Sequence, residues 1–167
     1  MDDIQFLVNR DPDLSTLRSP LLGQLHEFWL ALKMDDRLPA RSDFQPNHIP
    51  LRLLPHIALI DVFRDGDDLR LSWRLVGTHI TGSTGRDVTG RYFDELYAGA
   101  DREDLMAAYV WLATNGRPLR WHGNSEFVNK DWLKFECAGF PLASDGQTVD
   151  KLLIGMVFAR DPIGRRM

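Results

Sequence analysis

Apolar side chains recur every three or four residues in the segment that follows Ser19-Pro20. These positions are Leu21, Leu22, Leu25, Phe28, Trp29 and Leu32. A serine hydroxyl before a proline at the first helical position is typical of a helix start. The spacing therefore predicts an amphipathic helix over about residues 20–34.

The segment 38–55 carries four prolines, at positions 39, 46, 50 and 55. Proline removes a backbone donor and interrupts a helix, so this segment cannot hold a long one. We expect a proline-rich arm with short turns that wraps along the surface.

From His56 onward the pattern changes to that of strands. Residues 57–63 are almost continuously apolar, and in 69–76 the apolar Leu69, Leu71, Trp73 and Leu75 alternate with polar residues. The Asp65-Gly66 pair between the two runs is typical of a tight turn. The pattern predicts a β-hairpin with one half-exposed strand.

The middle of the chain, 77–100, is rich in glycine and has room only for short helical turns. We expect Gly85 and Gly90 to allow tight turns between them. Asp101 then begins a helix that ends at Asn115-Gly116. Its apolar positions are Leu105, Met106, Ala108, Tyr109, Leu112 and Ala113.

Three further strand-like runs complete the chain, at about 119–128, 132–142 and 149–159, joined by short polar turns. A parallel sheet needs a crossover after each strand, and this order does not supply one. The sequence therefore predicts an α+β fold with a five-stranded antiparallel sheet and helix 101–115 lying across it.

The chain shows no internal repeat or long linker, and its 167 residues suit one core. We expect residues 1–55 to form a helix and arm that pack on the domain, 56–161 to form the domain itself, and 162–167 to be a tail.

Composition narrows the setting. No apolar run is long enough to cross a bilayer, the start is acidic, and Cys137 has no disulfide partner, so we expect a cytoplasmic protein. The net charge of −4 lacks the basic footprint that nucleic-acid binding requires.

Two segments resemble the PAS domain. Residues 85–96 are similar to the region where PAS domains carry a glycine, a polar turn, a second glycine with a basic residue, and a short acidic-hydrophobic helix. Residues 140–146 and the strand that follows, up to 161, look like the last PAS hairpin. The resemblance implies a five-stranded antiparallel sheet whose helices pack on one face around a small pocket.

Three other segments, 38–44, 54–62 and 74–78, resemble the short stand-alone PAS-type proteins of alphaproteobacteria. This resemblance implies regulation without naming a ligand. We expect a non-enzymatic sensory module that binds an unknown small molecule and signals through contacts with separate proteins, since no kinase, cyclase or helix-turn-helix pattern accompanies it. Two alternatives remain: a ligand-free interaction and dimerisation module, and an enzyme on a cone-like α+β sheet.

The sequence identifies no cofactor. PAS domains that bond a flavin resemble one another in a helical cysteine motif, which Cys137 lacks. The segment 101–116 contains no histidine, cysteine or matching methionine for haem, so both cofactors are disfavoured. The histidines, at 26, 48, 56, 79 and 122, have no metal-binding spacing. No nucleophile elbow or dinucleotide loop occurs, so we assign no metal ligand and no catalytic residue.

A PAS pocket would be lined by aromatic residues with polar ends. The candidate ligand-binding residues are Trp73, Thr78, Tyr92, Tyr109 and Trp121. The charged residues of the 86–94 segment, Arg86, Asp87, Arg91 and Asp94, either contact a ligand or pair with each other at the surface.

The N-terminal helix has an apolar stripe that a PAS sheet by itself leaves partly uncovered. An uncovered stripe favours association. We therefore expect a homodimer whose candidate interface is Leu21, Leu25, Phe28, Trp29 and Leu32. In the alternative, the helix folds back on its own sheet.

Overall fold

A computed structural model describes residues 9–44, 46–98, 100–125 and 130–159 of the chain. The elements, in chain order, are β1 (Asn9–Asp11), α1 (Pro20–Leu32), β2 (Ile57–Asp65), β3 (Asp68–Val76), α2 (Thr78–Thr84), α3 (Phe93–Leu96), α4 (Ala100–Asn115), β4 (Leu119–Ser125), β5 (Lys130–Leu142) and β6 (Lys151–Ala159). The end of the strand predicted at 119–128 and the tail at 162–167 lie outside the described residues.

The strands form one antiparallel sheet in the order β1-β4-β5-β6-β2-β3. The α+β antiparallel class is confirmed, and the five expected strands are present. The count of five is wrong by one, because β1 adds a sixth strand at the edge, where Arg10 pairs with Trp121. Three polar residues show no alternation, so β1 owes its conformation to the neighbouring β4.

Glycines end several elements where they were expected. Gly66 closes the β2–β3 hairpin with φ of 60°, and Gly116 follows α4 with φ of 61°. Gly85 and Gly90 both have φ of 82°, on either side of the loop between α2 and α3. These left-handed conformations are available to glycine at little cost, which confirms the predicted turns.

The sheet separates two hydrophobic clusters. The inner face packs against α2, α3 and α4, and the outer face packs against α1 and the proline-rich arm. Two glycines allow this close packing: a Cβ on Gly139 would lie 2.3 Å from Leu112 of α4, and one on Gly155 would lie 2.6 Å from Leu22 of α1. Helices thus contact both faces of the sheet.

Helix α1 folds back on its own sheet. Leu22, Leu25 and Trp29 are fully buried there, and the Trp29 indole donates to the carbonyl of Pro141 at 3.0 Å. The expectation that the apolar stripe of this helix is left uncovered is therefore wrong, because the outer face of the sheet covers it. Leu21, Phe28 and Leu32 pack partly against the same cluster.

The start of α1 also differs from the expectation in one detail. Ser19 occupies the N-cap position, but its hydroxyl makes no capping hydrogen bond. Its backbone N–H instead donates to the carboxylate of Glu136 at 2.8 Å. A long-range acceptor, rather than the local cap, holds this end of the helix.

The arm forms short 3₁₀ turns at Arg41–Asp43, Pro46–His48 and Leu54–His56, as its prolines predict. It contributes buried apolar side chains to the outer cluster. These are Phe44, Ile49 and Leu53.

The alternation predicted for β3 stops at a β-bulge. Leu59 pairs with Leu75 and Ile60 pairs with Trp73, so Arg74 is an extra residue that has no backbone pairing partner on β2. Because a bulge shifts the side-chain period by one, Leu75 leaves the face of Leu71 and Trp73 and is exposed. The prediction that Leu75 shares their face is wrong.

Candidate functional site

A cavity lies between the inner face of the sheet and helices α2, α3 and α4. Its volume is about 60 Å³, whereas a cavity needs only about 10–15 Å³ to hold one water molecule. The described residues that line it are Trp73, Val76, Ile80, Thr84, Arg86, Val88, Phe93, Tyr97, Leu105, Ala108, Tyr109, Trp121, Phe135, Cys137, Met156 and Phe158. It can hold a guest of several heavy atoms in mainly apolar surroundings.

Aromatic rings form one wall of this cavity. Trp73 stacks on Phe93 at 4.8 Å between ring centroids, and Tyr109 meets the edges of Phe93 at 5.1 Å and Trp121 at 5.4 Å. Such offset and edge-to-face pairs hold the rings in place. Three candidate residues, Trp73, Tyr109 and Trp121, are thus brought together although they come from three different elements.

The other two candidates lie elsewhere. Thr78 is exposed at the first position of α2 and does not line the cavity. Tyr92 pairs with Ser72 beyond the edge strand β3, where its ring contacts Phe63 and lies 3.6 Å from the guanidinium of Arg70. The prediction that Tyr92 lines the cavity is wrong, because pairing with Ser72 holds Tyr92 beyond the free edge of β3.

One donor of the cavity wall has no hydrogen-bond acceptor of good geometry among the described residues: the buried indole N–H of Trp73. The hydroxyl of Tyr97 lies close to this N–H without forming an aligned hydrogen bond with it, and it also interacts with the guanidinium of Arg86, whose carbon lies 5.7 Å from the Tyr97 ring centroid. Burial raises the pKa of Tyr97, and Trp73 and Arg86 partly offset this effect. Trp73, Tyr97 and Arg86 therefore form a polar corner in an apolar cavity, here called the donor corner.

The remaining weak acids of the wall stay protonated at neutral pH. Burial raises the pKa of Tyr109 and of Cys137 well above their usual values. A thiol that stays protonated is a poor nucleophile. Cys137 therefore contributes packing and a neutral S–H to the cavity.

Sequence reasoning missed Phe93 and Tyr97, which stand four residues apart around α3 and both line the cavity. Their i, i+4 spacing was the available signal. The sequence also left the role of Arg86 open, and the structure places Arg86 at the cavity. The neighbouring charges pair outside it: Arg91 contacts Glu95 at 3.2 Å and Asp94 contacts Arg70 at 2.7 Å.

Two histidines, His56 in the 3₁₀ turn before β2 and His79 in α2, contact strand β6, which forms part of the cavity wall. The rings of His56 and His79 are 4.0 Å apart. His79 Nε2 accepts from the backbone N–H of Phe158 at 3.2 Å, and His56 Nδ1 lies 3.1 Å from the carbonyl of Met156. Met156 and Phe158 both line the cavity, so this histidine pair lies directly behind its wall.

A family profile described as PAS domain matches residues 17–157. The chain belongs to the PAS domain family. The match includes α1, the arm and the sheet from β2 to Val157 in β6, whereas β1 lies outside it. A sheet with helices around a small cavity is the arrangement that the resemblance implied. Comparison with curated proteins gives no match. Within the described ranges, no helix is long and apolar enough to cross a membrane.

Proposed function

We propose that this PAS domain is a non-enzymatic sensory module whose cavity binds a small molecule and releases it chemically unchanged. Membership of the family suggests a sensory or regulatory role. The cavity supplies a place for the signal, and its mainly apolar wall suits a guest that leaves water for hydrophobic reasons.

The observation that carries this proposal is the unpaired indole N–H of Trp73. A buried donor that has no acceptor at all costs about 1–3 kcal/mol, and one that meets an acceptor with poor alignment, as Trp73 meets Tyr97, carries part of that cost. A ligand that accepts this hydrogen bond would recover that free energy. The donor thus supports a cavity that is completed by a guest.

The wall that the structure describes carries no carboxylate and no histidine, and burial keeps the Tyr109 hydroxyl and the Cys137 thiol protonated. The non-enzymatic part of the proposal rests on family membership.

Strand β6 offers a route for the signal across the sheet. Met156 and Phe158 face the cavity, while Gly155, which directly precedes Met156, lies against Leu22 and Leu25 of α1 on the outer face. A guest that displaces β6 would therefore press on α1. We propose that α1 presents the signal to a second protein or to a second copy of the chain. The separate signalling partner, the cytoplasmic location and the alphaproteobacterial origin stay predictions.

Native mass spectrometry tests the proposal. Protein purified without dialysis should carry an extra mass that is lost on denaturation. Ala108→Leu narrows the cavity from α4 and should remove this mass, whereas Ala107→Leu, which changes a residue outside the cavity wall, should retain it. An unmodified mass for the wild type and both variants contradicts the proposal and favours the ligand-free interaction module.

A further inference from the structure

The donor corner contains three hydrogen-bond donors and one full positive charge. Trp73, which is 5% exposed, offers its unpaired indole N–H, Tyr97 offers a hydroxyl, and Arg86 offers its guanidinium. The Tyr97 oxygen lies close to both Trp73 and Arg86, although its geometry with the Trp73 N–H is poor, so the three groups form one cluster.

No described residue of the wall balances that charge. The described lining contains no acidic side chain, and no described carboxylate lies within 4.0 Å of the Arg86 guanidinium. The carboxylate of the adjacent Asp87 accepts from the backbone and hydroxyl of Thr89. Apart from its contact with Tyr97, Arg86 therefore keeps its donors available for a group that enters the cavity.

The rest of the wall selects the body of that guest. Aromatic rings of Phe93, Tyr109, Trp121 and Phe135 surround the space, and aromatic faces and edges favour a flat ring over a flexible polar chain. The enclosed volume of about 60 Å³ is smaller than the roughly 150 Å³ of a cavity that binds benzene, so an aromatic guest must displace some side chains of the wall and can be no larger than a small molecule.

We propose that the ligand of this cavity is a small aromatic monocarboxylate, with its ring among the aromatic side chains and its carboxylate at the donor corner. Carboxylates accept charge-assisted hydrogen bonds, which are stronger than neutral ones, and arginine matches their planar geometry. This inference presupposes the sensory function proposed above and adds the chemical class of its ligand.

Phenylacetate and its neutral isostere phenylacetamide are matched probes, because they differ mainly in charge. Isothermal titration of the wild-type chain should give a dissociation constant for phenylacetate at least about tenfold lower than for phenylacetamide. Arg86→Gln should weaken phenylacetate binding by about tenfold and leave phenylacetamide binding unchanged. Arg91→Gln, an exposed arginine outside the cavity, should change neither value.

Trp73→Phe removes the N–H and should also weaken phenylacetate binding. Arg86 is exposed, so Arg86→Gln keeps the test valid even where Trp73→Phe impairs folding. Equal binding of both probes, an unchanged affinity in Arg86→Gln, or no binding of phenylacetate overturns the carboxylate assignment. Native mass spectrometry then judges the sensory function separately: a bound neutral compound leaves that function standing, and no bound compound refutes it as well.

Discussion

Glu136 shows how one residue secures the N-terminal segment. Its carboxylate is fully buried on the outer face and accepts from Arg120 Nε at 2.8 Å and from the backbone N–H groups of Arg18 at 3.0 Å and Ser19 at 2.8 Å. A buried charge is tolerated when it is paired and hydrogen-bonded. This carboxylate therefore joins the start of α1 to β4 and β5.

We expect Glu136→Gln to lower the free energy of unfolding by about 3 kcal/mol, because removing one partner leaves the buried Arg120 without its counter-charge. Urea denaturation measures this loss. Glu95→Gln removes the partner of Arg91 in an exposed pair and should change stability by less than about 0.5 kcal/mol. A similarly small effect for Glu136→Gln would contradict the assigned role.

At the scale of elements, the histidine pair holds α2 and the 3₁₀ turn at Leu54–His56 against β6. Burial, followed by the charge of His56, lowers the pKa of His79 below its usual 6.5. Few titratable groups surround His79 among the described elements. The turn contributes His56, and α2 contributes no charged residue. Lys151 of β6 lies at the opposite end of that strand from Phe158. His79 therefore accepts from Phe158 only while it is neutral.

This link predicts a pH-dependent stability. The unfolded chain binds a proton at His79 from about pH 6.5 downward, whereas the folded chain, in which the pKa of His79 is lowered, takes it up only at lower pH. The free energy of unfolding should therefore fall as pH drops below about 6.5. Urea denaturation at pH 7.5 and 5.5 should show a smaller decrease for His79→Gln than for the wild type. His48→Gln, at an exposed position, should behave like the wild type. Equal decreases for His79→Gln and the wild type would exclude this coupling.

At the scale of the whole molecule, a single sheet separates the cavity from the N-terminal segment. Because α1 covers the outer face with Leu25 and Trp29, those side chains are not available to a second copy while the helix stays in place. The homodimer stays a prediction. What still supports a dimer is exposed apolar surface on the other side of α1. Leu30 there is 49% exposed, and Met34, just after the helix, is 74% exposed.

We expect light scattering at micromolar concentration to give a mass near twice the 19.2 kDa of the chain. The double variant Leu30→Glu/Met34→Glu should give the monomer mass, because it places charges in the apolar contact. Leu51→Glu, at an exposed leucine of the arm, should leave the dimer intact. A monomeric wild type would refute the dimer.

Local patterns in the sequence were sufficient for most elements. The bounds of helix α4 and of the β2–β3 hairpin were predicted within one or two residues. Side-chain periodicity and the left-handed glycines Gly66 and Gly116 are local signals, which depend only on neighbouring residues in the chain. Trp73, Tyr109 and Trp121 were placed together because an antiparallel sheet with a helix across it brings these positions to one side.

Tertiary structure decided the rest. Strand β1 forms because β4 offers it an edge, the bulge at Arg74 turns Leu75 outward, and the pairing of Tyr92 with Ser72 removes Tyr92 from the cavity. Glu136 is buried because donors from distant segments converge on it. Pairing between strands and the burial of charge depend on partners far along the chain. The sequence by itself therefore determined the elements and their class, whereas which side chains share a face and which donors lack a partner were decided only by the assembled sheet.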